Sequence, residues 1–232
     1  MLAILLLAMV LEGCGSVARQ PLVHVVGGAA EGGWLTKIYA VEGLLPPGYQ
    51  PSRKLARRLA AQDADMERGA AIGTHYDPAD CGTALRPNPL PVGSSVAGVT
   101  GNLPSRSARI EFTVADTTAS KLAISPIFDD PKCAAVTFSG RAGDWPDTSG
   151  ITLDVAAPRI EGIRTQGRQW LITVHERENR SDFVEFDYVA QISDRRRLVA
   201  TFLAPRDDRW RTLSPFDMQR LFAEVVHLMC DE

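Results

Sequence analysis

Val184-Glu185-Phe186-Asp187-Tyr188-Val189-Ala190-Gln191-Ile192 decides the architecture. Val184, Phe186, Tyr188, Ala190 and Ile192 fall on one side of an extended chain, with Glu185 and Asp187 on the other. A period of two marks a strand with one face on a core and one toward water. The same pattern continues in both directions. Leu198, Ala200 and Phe202 follow after Ser193-Asp194-Arg195, a link short enough for a hairpin. Upstream, Trp170, Ile172 and Val174 share a face, and Glu176 to Asp182 makes a second hairpin link.

Further upstream the alternation repeats in Ile151, Leu153 and Val155, in Ala134, Val136 and Phe138, and in Ile110, Phe112 and Val114. A strand-like stretch also follows Ser94. The block therefore predicts about six or seven antiparallel strands. A helix closes the chain: Ser214 caps it, Pro215 takes the first helical position and Asp217 stands three after the cap. Leu221, Phe222, Val225, Leu228 and Met229 form an apolar stripe that needs a surface to cover. Helices are also expected at Ser52 to Arg68 and near Thr118 to Ile124, and a short strand at Trp34 to Val41. The fold class expected is α+β, an antiparallel sheet with helices packed on one face.

Ahead of this block, Leu2 to Leu11 is an uncharged apolar run of ten residues, the length of a signal-peptide core and about half a membrane-spanning helix. Leu11-Glu12-Gly13-Cys14 then reads as a lipobox, with cleavage before Cys14 and lipid on its thiol. Glu12 departs from the usual pattern, and no Lys or Arg precedes the run. A start codon further upstream would explain the second point. The expected organisation is a signal peptide at 1–13, a lipidated Cys14 and Gly-rich tether at 14–35, and one extracytoplasmic domain at 36–232. The chain would then sit on the outer face of the cell membrane.

An exported chain favours disulfides. Cys81 follows the turn Asp77-Pro78-Ala79-Asp80, and Cys133 follows Asp129-Asp130-Pro131-Lys132. Both sit at element edges, and Cys81–Cys133 is the expected bridge. Cys230 is then either a thiol or the true partner of one of the others.

Motifs that carry chemistry are scarce. Gly93-Ser94-Ser95-Val96-Ala97 approaches a nucleophile elbow but ends in Ala and precedes a strand. His175-Glu176-Arg177-Glu178-Asn179 lacks the second His of a zinc-protease helix. His24, His75, His175 and His227 share no ligand spacing, so no metal or cofactor is expected. Asp182, Glu185 and Asp187 stand on the predicted water face of one strand and could pair as acid and base, although solvation is the ordinary role of such charges. The net charge of -3 gives no electrostatic case for nucleic acid. Trp145, in the Gly/Pro-bounded stretch Asp144-Trp145-Pro146-Asp147, is the one candidate ligand-binding aromatic, with packing on the sheet edge as its alternative.

Five segments together resemble a family of actinobacterial, chiefly mycobacterial, lipoproteins of unknown function. They are the lipobox at Cys14, Leu45-Pro46-Pro47-Gly48-Tyr49, Tyr76-Asp77-Pro78-Ala79-Asp80-Cys81, the strand from Cys133 to Ser139, and Ala157-Pro158-Arg159-Ile160-Glu161-Gly162. The resemblance extends distantly to the extracellular sensor domain of a mycobacterial serine/threonine kinase. It implies an antiparallel sheet flanked by helices, tied by disulfide, with a cleft for a small ligand, and it carries no catalytic residues. The expected function is a non-catalytic, lipid-anchored envelope protein binding a small ligand or an envelope partner. A glycolipid carrier and an exported hydrolase built on Ser95 or on Asp182 and Asp187 are the alternatives.

Overall fold

The computed structural model describes residues 33–59, 74–84, 90–104, 107–118, 130–142, 145–176, 179–206 and 214–231. The chain begins with α1 (Gly33–Thr36), a 3-10 segment (Lys37–Leu44), β1 (Gln50–Arg58) and β2 (Thr74–Asp77). Seven further strands follow: β3 (Ser95–Leu103), β4 (Ala108–Asp116), β5 (Ala135–Ala142), β6 (Trp145–Val155), β7 (Arg164–Glu176), β8 (Asn179–Gln191) and β9 (Arg196–Pro205). The last element is α2 (Pro215–Cys230). All nine strands form one sheet in the order β1-β3-β4-β9-β8-β7-β6-β5-β2, antiparallel throughout.

The sheet has nine strands where sequence predicts six or seven, and helices are few among the described residues. The additional strands are the outer two. β1 replaces the expected helix at Ser52 to Arg68, as far as Arg58. Every residue of β1 is exposed, Leu55 among them at 72%. Hydrogen bonding to β3 outweighs a weak helical pattern, and the dense positive charge suits an edge strand that must resist further pairing. The expected helix near Thr118 to Ile124 lies almost wholly outside the described residues.

The expected strand at Trp34 to Val41 is helical instead. Leu35, Ile38 and Val41 recur every third residue and are all buried, which is the repeat of a 3-10 helix. Trp34 and Leu35, assigned above to the tether, therefore belong to the packed domain.

Strand pairing fixes which side chains share a face. Phe186 stands opposite Phe202, Phe202 opposite Ile110, and Tyr188 opposite Ala200, which is opposite Phe112. These residues with Val184, Ala190, Leu198 and Val114 make the larger apolar face. α2 covers it with Met218, Leu221, Phe222, Val225, Val226 and Met229, all buried. The rings form a chain: Phe222 lies 5.4 Å from Tyr188, Tyr188 6.0 Å from Phe202, and Phe202 5.8 Å from Phe112.

Both ends of α2 are secured. Ser214 Oγ accepts from the Asp217 amide, and the Asp217 carboxylate accepts in return from the Ser214 amide, a complete capping box. At the other end Trp34 Nε1 donates to the Met229 carbonyl at 2.9 Å, and Lys37 Nζ donates to the Asp231 carbonyl. A cation at carbonyls past the last turn also complements the helix dipole.

Phe222 is fully buried against Tyr188. Phe222→Ala should lower unfolding free energy by about 3–5 kcal/mol in urea titrations. Phe216→Ala, at a position on the same helix that is 71% exposed, should change it by less than about 0.5 kcal/mol.

Candidate functional site

The second face of the sheet is built differently. Over β2, β5, β6 and β7 it carries a small apolar cluster: Cys81, Cys133, Val136, Phe138, Trp170 and Ile172. Cys81 and Cys133 are bonded to each other and fully buried. Cys230 keeps its thiol and is half-buried at the end of α2. Phe138 lies across its pairing partner Gly150, where an added Cβ would stand 2.0 Å from the Leu171 carbonyl and 2.8 Å from the Phe138 ring. Only glycine leaves room for that ring, which then meets Trp170 edge-on at 5.6 Å.

Arg168 closes this cluster beyond Trp170, toward the start of β7, and reaches across β6. It is 2% exposed. Nη1 donates to the Cys133 carbonyl at 3.1 Å and to Thr152 Oγ1 at 3.0 Å, and Nη2 donates to the Asp154 carboxylate. Burial pushes the guanidinium below its ordinary value, while Asp154 and then Asp187 oppose that shift. Asp187 is itself held on both oxygens, by Trp170 Nε1 at 2.8 Å and Thr201 Oγ1 at 2.7 Å. These bonds tie the disulfide-bearing segment to the central strands.

From Asp187 a polar strip runs across the face turned away from α2. Thr201 is followed by Glu111, its pairing partner on β4, and then by Lys54 of β1, which donates to Glu111. Thr113 Oγ1 also donates to Glu111, at 3.3 Å. Leu59, Leu90, Val96 and Ala115 bound the strip at one end of the strands. Thr113, Val199 and Thr201 are half-buried in its floor. The strip offers carboxylate and hydroxyl acceptors beside a Lys ammonium, a surface for a small polar ligand or a partner's polar groups.

The sequence-derived candidates fall in several places. Cys14 lies outside the described residues, as does His24. Trp145 starts β6, paired with Ala142, so it stands at a strand end and not in the middle of a loop. Thr152, not Ile151, is the buried residue at its part of β6.

The carboxylate pair separates. Asp182 stands opposite Thr173 on the α2 side of the sheet, whereas Glu185 and Asp187 stand opposite Trp170 and Arg168 on the other side. Residues an odd number apart on an unbulged strand face opposite ways, so Asp182 and Asp187 cannot act on one substrate. Asp182 accepts from Thr173 Oγ1 at 2.7 Å and from Arg180 at 3.1 and 3.2 Å, and these bonds hold its carboxyl below the usual range.

Ser95 begins β3, between Arg58 and Asp116. His175 is four strands away in sheet order, about 19 Å at ordinary strand spacing, and at the far end of its strand. His75 is on the opposite edge strand and His227 is on α2. No Ser–His pair forms at Ser95 among the described residues. No group of three or more His, Cys, Asp or Glu there could hold a metal ion, and no helix there is long and apolar enough to cross a membrane.

The class defined by these features is an antiparallel sheet protein with a helix closing one face and a disulfide cluster on the other. Residues 35–228 match the model of a family described as Domain of unknown function (DUF5642), and the chain belongs to that family. Among solved structures it is similar to an uncharacterized protein of Mycobacterium smegmatis, an Rv0999 ortholog, at 17% identity over 85% of this chain and 97% of that chain, with a TM-score of 0.59. At that identity the likeness concerns the fold alone. No curated protein matches at a significant level. The two positive findings fit a mycobacterial family of unknown function.

Asp182 gives a pH prediction. Its folded pKa is depressed by Thr173 and Arg180. Its stabilisation is therefore complete above the unfolded carboxyl value, about 3.9, and is lost as pH falls through the lower folded value. Acid unfolding curves should show a smaller loss between about pH 4 and pH 2 for Asp182→Asn than for the native chain.

Proposed function

We propose that the chain is a lipid-anchored, non-catalytic protein of the cell envelope that binds a small ligand or an envelope partner. The binding surface in this reading is the polar strip on the sheet face away from α2. The observation that carries it is the fully buried Cys81–Cys133 bridge. A disulfide inside an apolar cluster suits an oxidising compartment outside the cytoplasm. The apolar run ending at Leu11-Glu12-Gly13-Cys14 supplies the route there and the site of lipid attachment. The resemblance to a kinase sensor domain belongs to the same proposal and supports placing the ligand on the sheet.

The strip supports binding more than catalysis. Its carboxylates already accept from Lys54, Thr113, Thr201 and Trp170. The larger apolar face, the natural place for an acyl chain, is filled by α2.

Intact mass of the protein from a membrane fraction tests the anchor. The expected mass corresponds to cleavage before Cys14 plus a diacylglyceryl-type addition. An uncleaved, unmodified chain overturns it. Alkylation of the denatured chain with and without reduction should find one disulfide and one thiol, Cys230. Reduction should also destabilise the domain, by up to about 4 kcal/mol for a bridge spanning a sequence separation of 52. Loss of nothing on reduction would contradict a structural disulfide.

A further inference from the structure

The point where the tether leaves the domain coincides with a concentration of positive charge. Trp34 is pinned there by its bond to the Met229 carbonyl, and the Arg196 guanidinium lies 4.7 Å from its ring centroid. Arg196 also donates to Asp116 at 3.2 Å. Strand pairing sets the rest of this end of the sheet in a row. Arg58 is opposite Ser95, Ser95 opposite Asp116, and Asp116 opposite Arg196. The hairpin before β9 adds Arg195, whose carbonyl accepts from the Thr117 amide.

Arg57, Arg58, Arg195, Arg196, the buried Arg197 and Lys37 therefore share this end with Asp116, Asp194 and Asp231. The connection into β7 adds Arg159 and Arg164 against Glu161. Eight cations against four carboxylates leave this end at +4 among the described residues, in a chain whose total is -3. Arg57, Arg58, Arg164 and Arg195 are exposed. The row crosses six strands, from β1 to β7, about 24 Å at ordinary strand spacing. That is wide enough to meet many headgroups at once.

We infer that this end of the sheet is a membrane-docking surface for anionic phospholipid headgroups. The inference rests on the lipid-anchor reading for its orientation. Residues before Gly33 lead back to Cys14, so an anchor there draws this end, and not the Trp145 end, toward the bilayer. The anchor then needs no large affinity from the protein, because it already holds the charges at the surface. A basic group close to an anionic leaflet contributes about fivefold in partitioning, and the attraction fades within a Debye length. Docked this way, the sheet stands on end, with the polar strip running up its side and open to ligands.

The test uses the mature chain of this reading, residues 14–232 with Cys14→Ser, so that neither an acyl group nor the apolar Leu2–Leu11 run contributes. Flotation is measured with vesicles of phosphatidylglycerol in phosphatidylcholine and with phosphatidylcholine alone. The expected result is binding to the anionic vesicles that weakens from 50 to 300 mM salt, and none to the neutral ones. Arg58→Ala with Arg195→Ala should weaken it about 25-fold. Arg206→Ala, at the other end of β9, should leave it unchanged, and circular dichroism should show all variants folded. Equal binding to neutral vesicles overturns the proposal, as does an equal loss in the Arg206 variant. Displacement by millimolar glycerol phosphate also overturns it, in favour of a free-phosphate site. The anchor is judged apart, by mass: a lipidated native chain whose Cys14→Ser form ignores anionic vesicles overturns the docking surface alone. An unlipidated native chain whose Cys14→Ser form still floats supports the surface and overturns the anchor.

Discussion

The contact of Phe222 on Tyr188 seats the last helix on the sheet. A wide antiparallel sheet with a large apolar face is not stable in water until that face is covered. Here a single helix of 16 residues does most of the covering. The aromatic chain from Phe222 through Tyr188 and Phe202 to Phe112 carries the contact from the helix across three neighbouring strands, β8, β9 and β4. Burial raises the Tyr188 hydroxyl's pKa, and a bond with Gln219 of α2 works against that shift. The ring thus packs on the helix while its polar end is still satisfied.

Covering one face constrains the two ends of the chain together. α2 terminates against Trp34 and Lys37, residues nearly two hundred positions earlier. The N-terminal segment in turn packs Ile38 and Val41 beneath the same helix and sheet. Loss of either would expose the other. With that face closed, the binding and docking surfaces proposed above lie on the opposite face and at the strand ends. The disulfide cluster stiffens one half of the opposite face, and Lys132, next to Cys133, pairs with Asp80, next to Cys81, over the bridge. The other half presents the polar strip.

Legibility in the sequence followed side-chain contrast. β8, β9 and α2 could be read because their apolar and polar residues alternate with clear periods, and the structure keeps those faces. β1 could not, because an edge strand exposed on both sides has no apolar face to show. The segment at Trp34 to Val41 is hard to read because a period of three resembles neither of the two common repeats. Proximity in sequence groups Asp182 with Asp187, although parity alone separates them. Arg168 had no sequence signal as a buried residue: its burial depends on Thr152, Asp154 and the Cys133 carbonyl, which only the pairing of β6 with β7 and the disulfide bring near. The same holds for the strip, since Lys54, Glu111 and Thr201 come from strands far apart in sequence. A period reveals a face, but not which faces become neighbours.

Hydrogen exchange of the full chain, resolved to single amides, decides whether α2 holds the sheet together. If α2 and the strands beneath it form one cooperative core, the slowest amides will be those of β4, β8, β9 and the middle of α2, all opening with one free energy. The exposed β1 edge around Leu55 will exchange far sooner. If α2 exchanges as fast as β1 while the sheet stays protected, the helix is not what holds the sheet together.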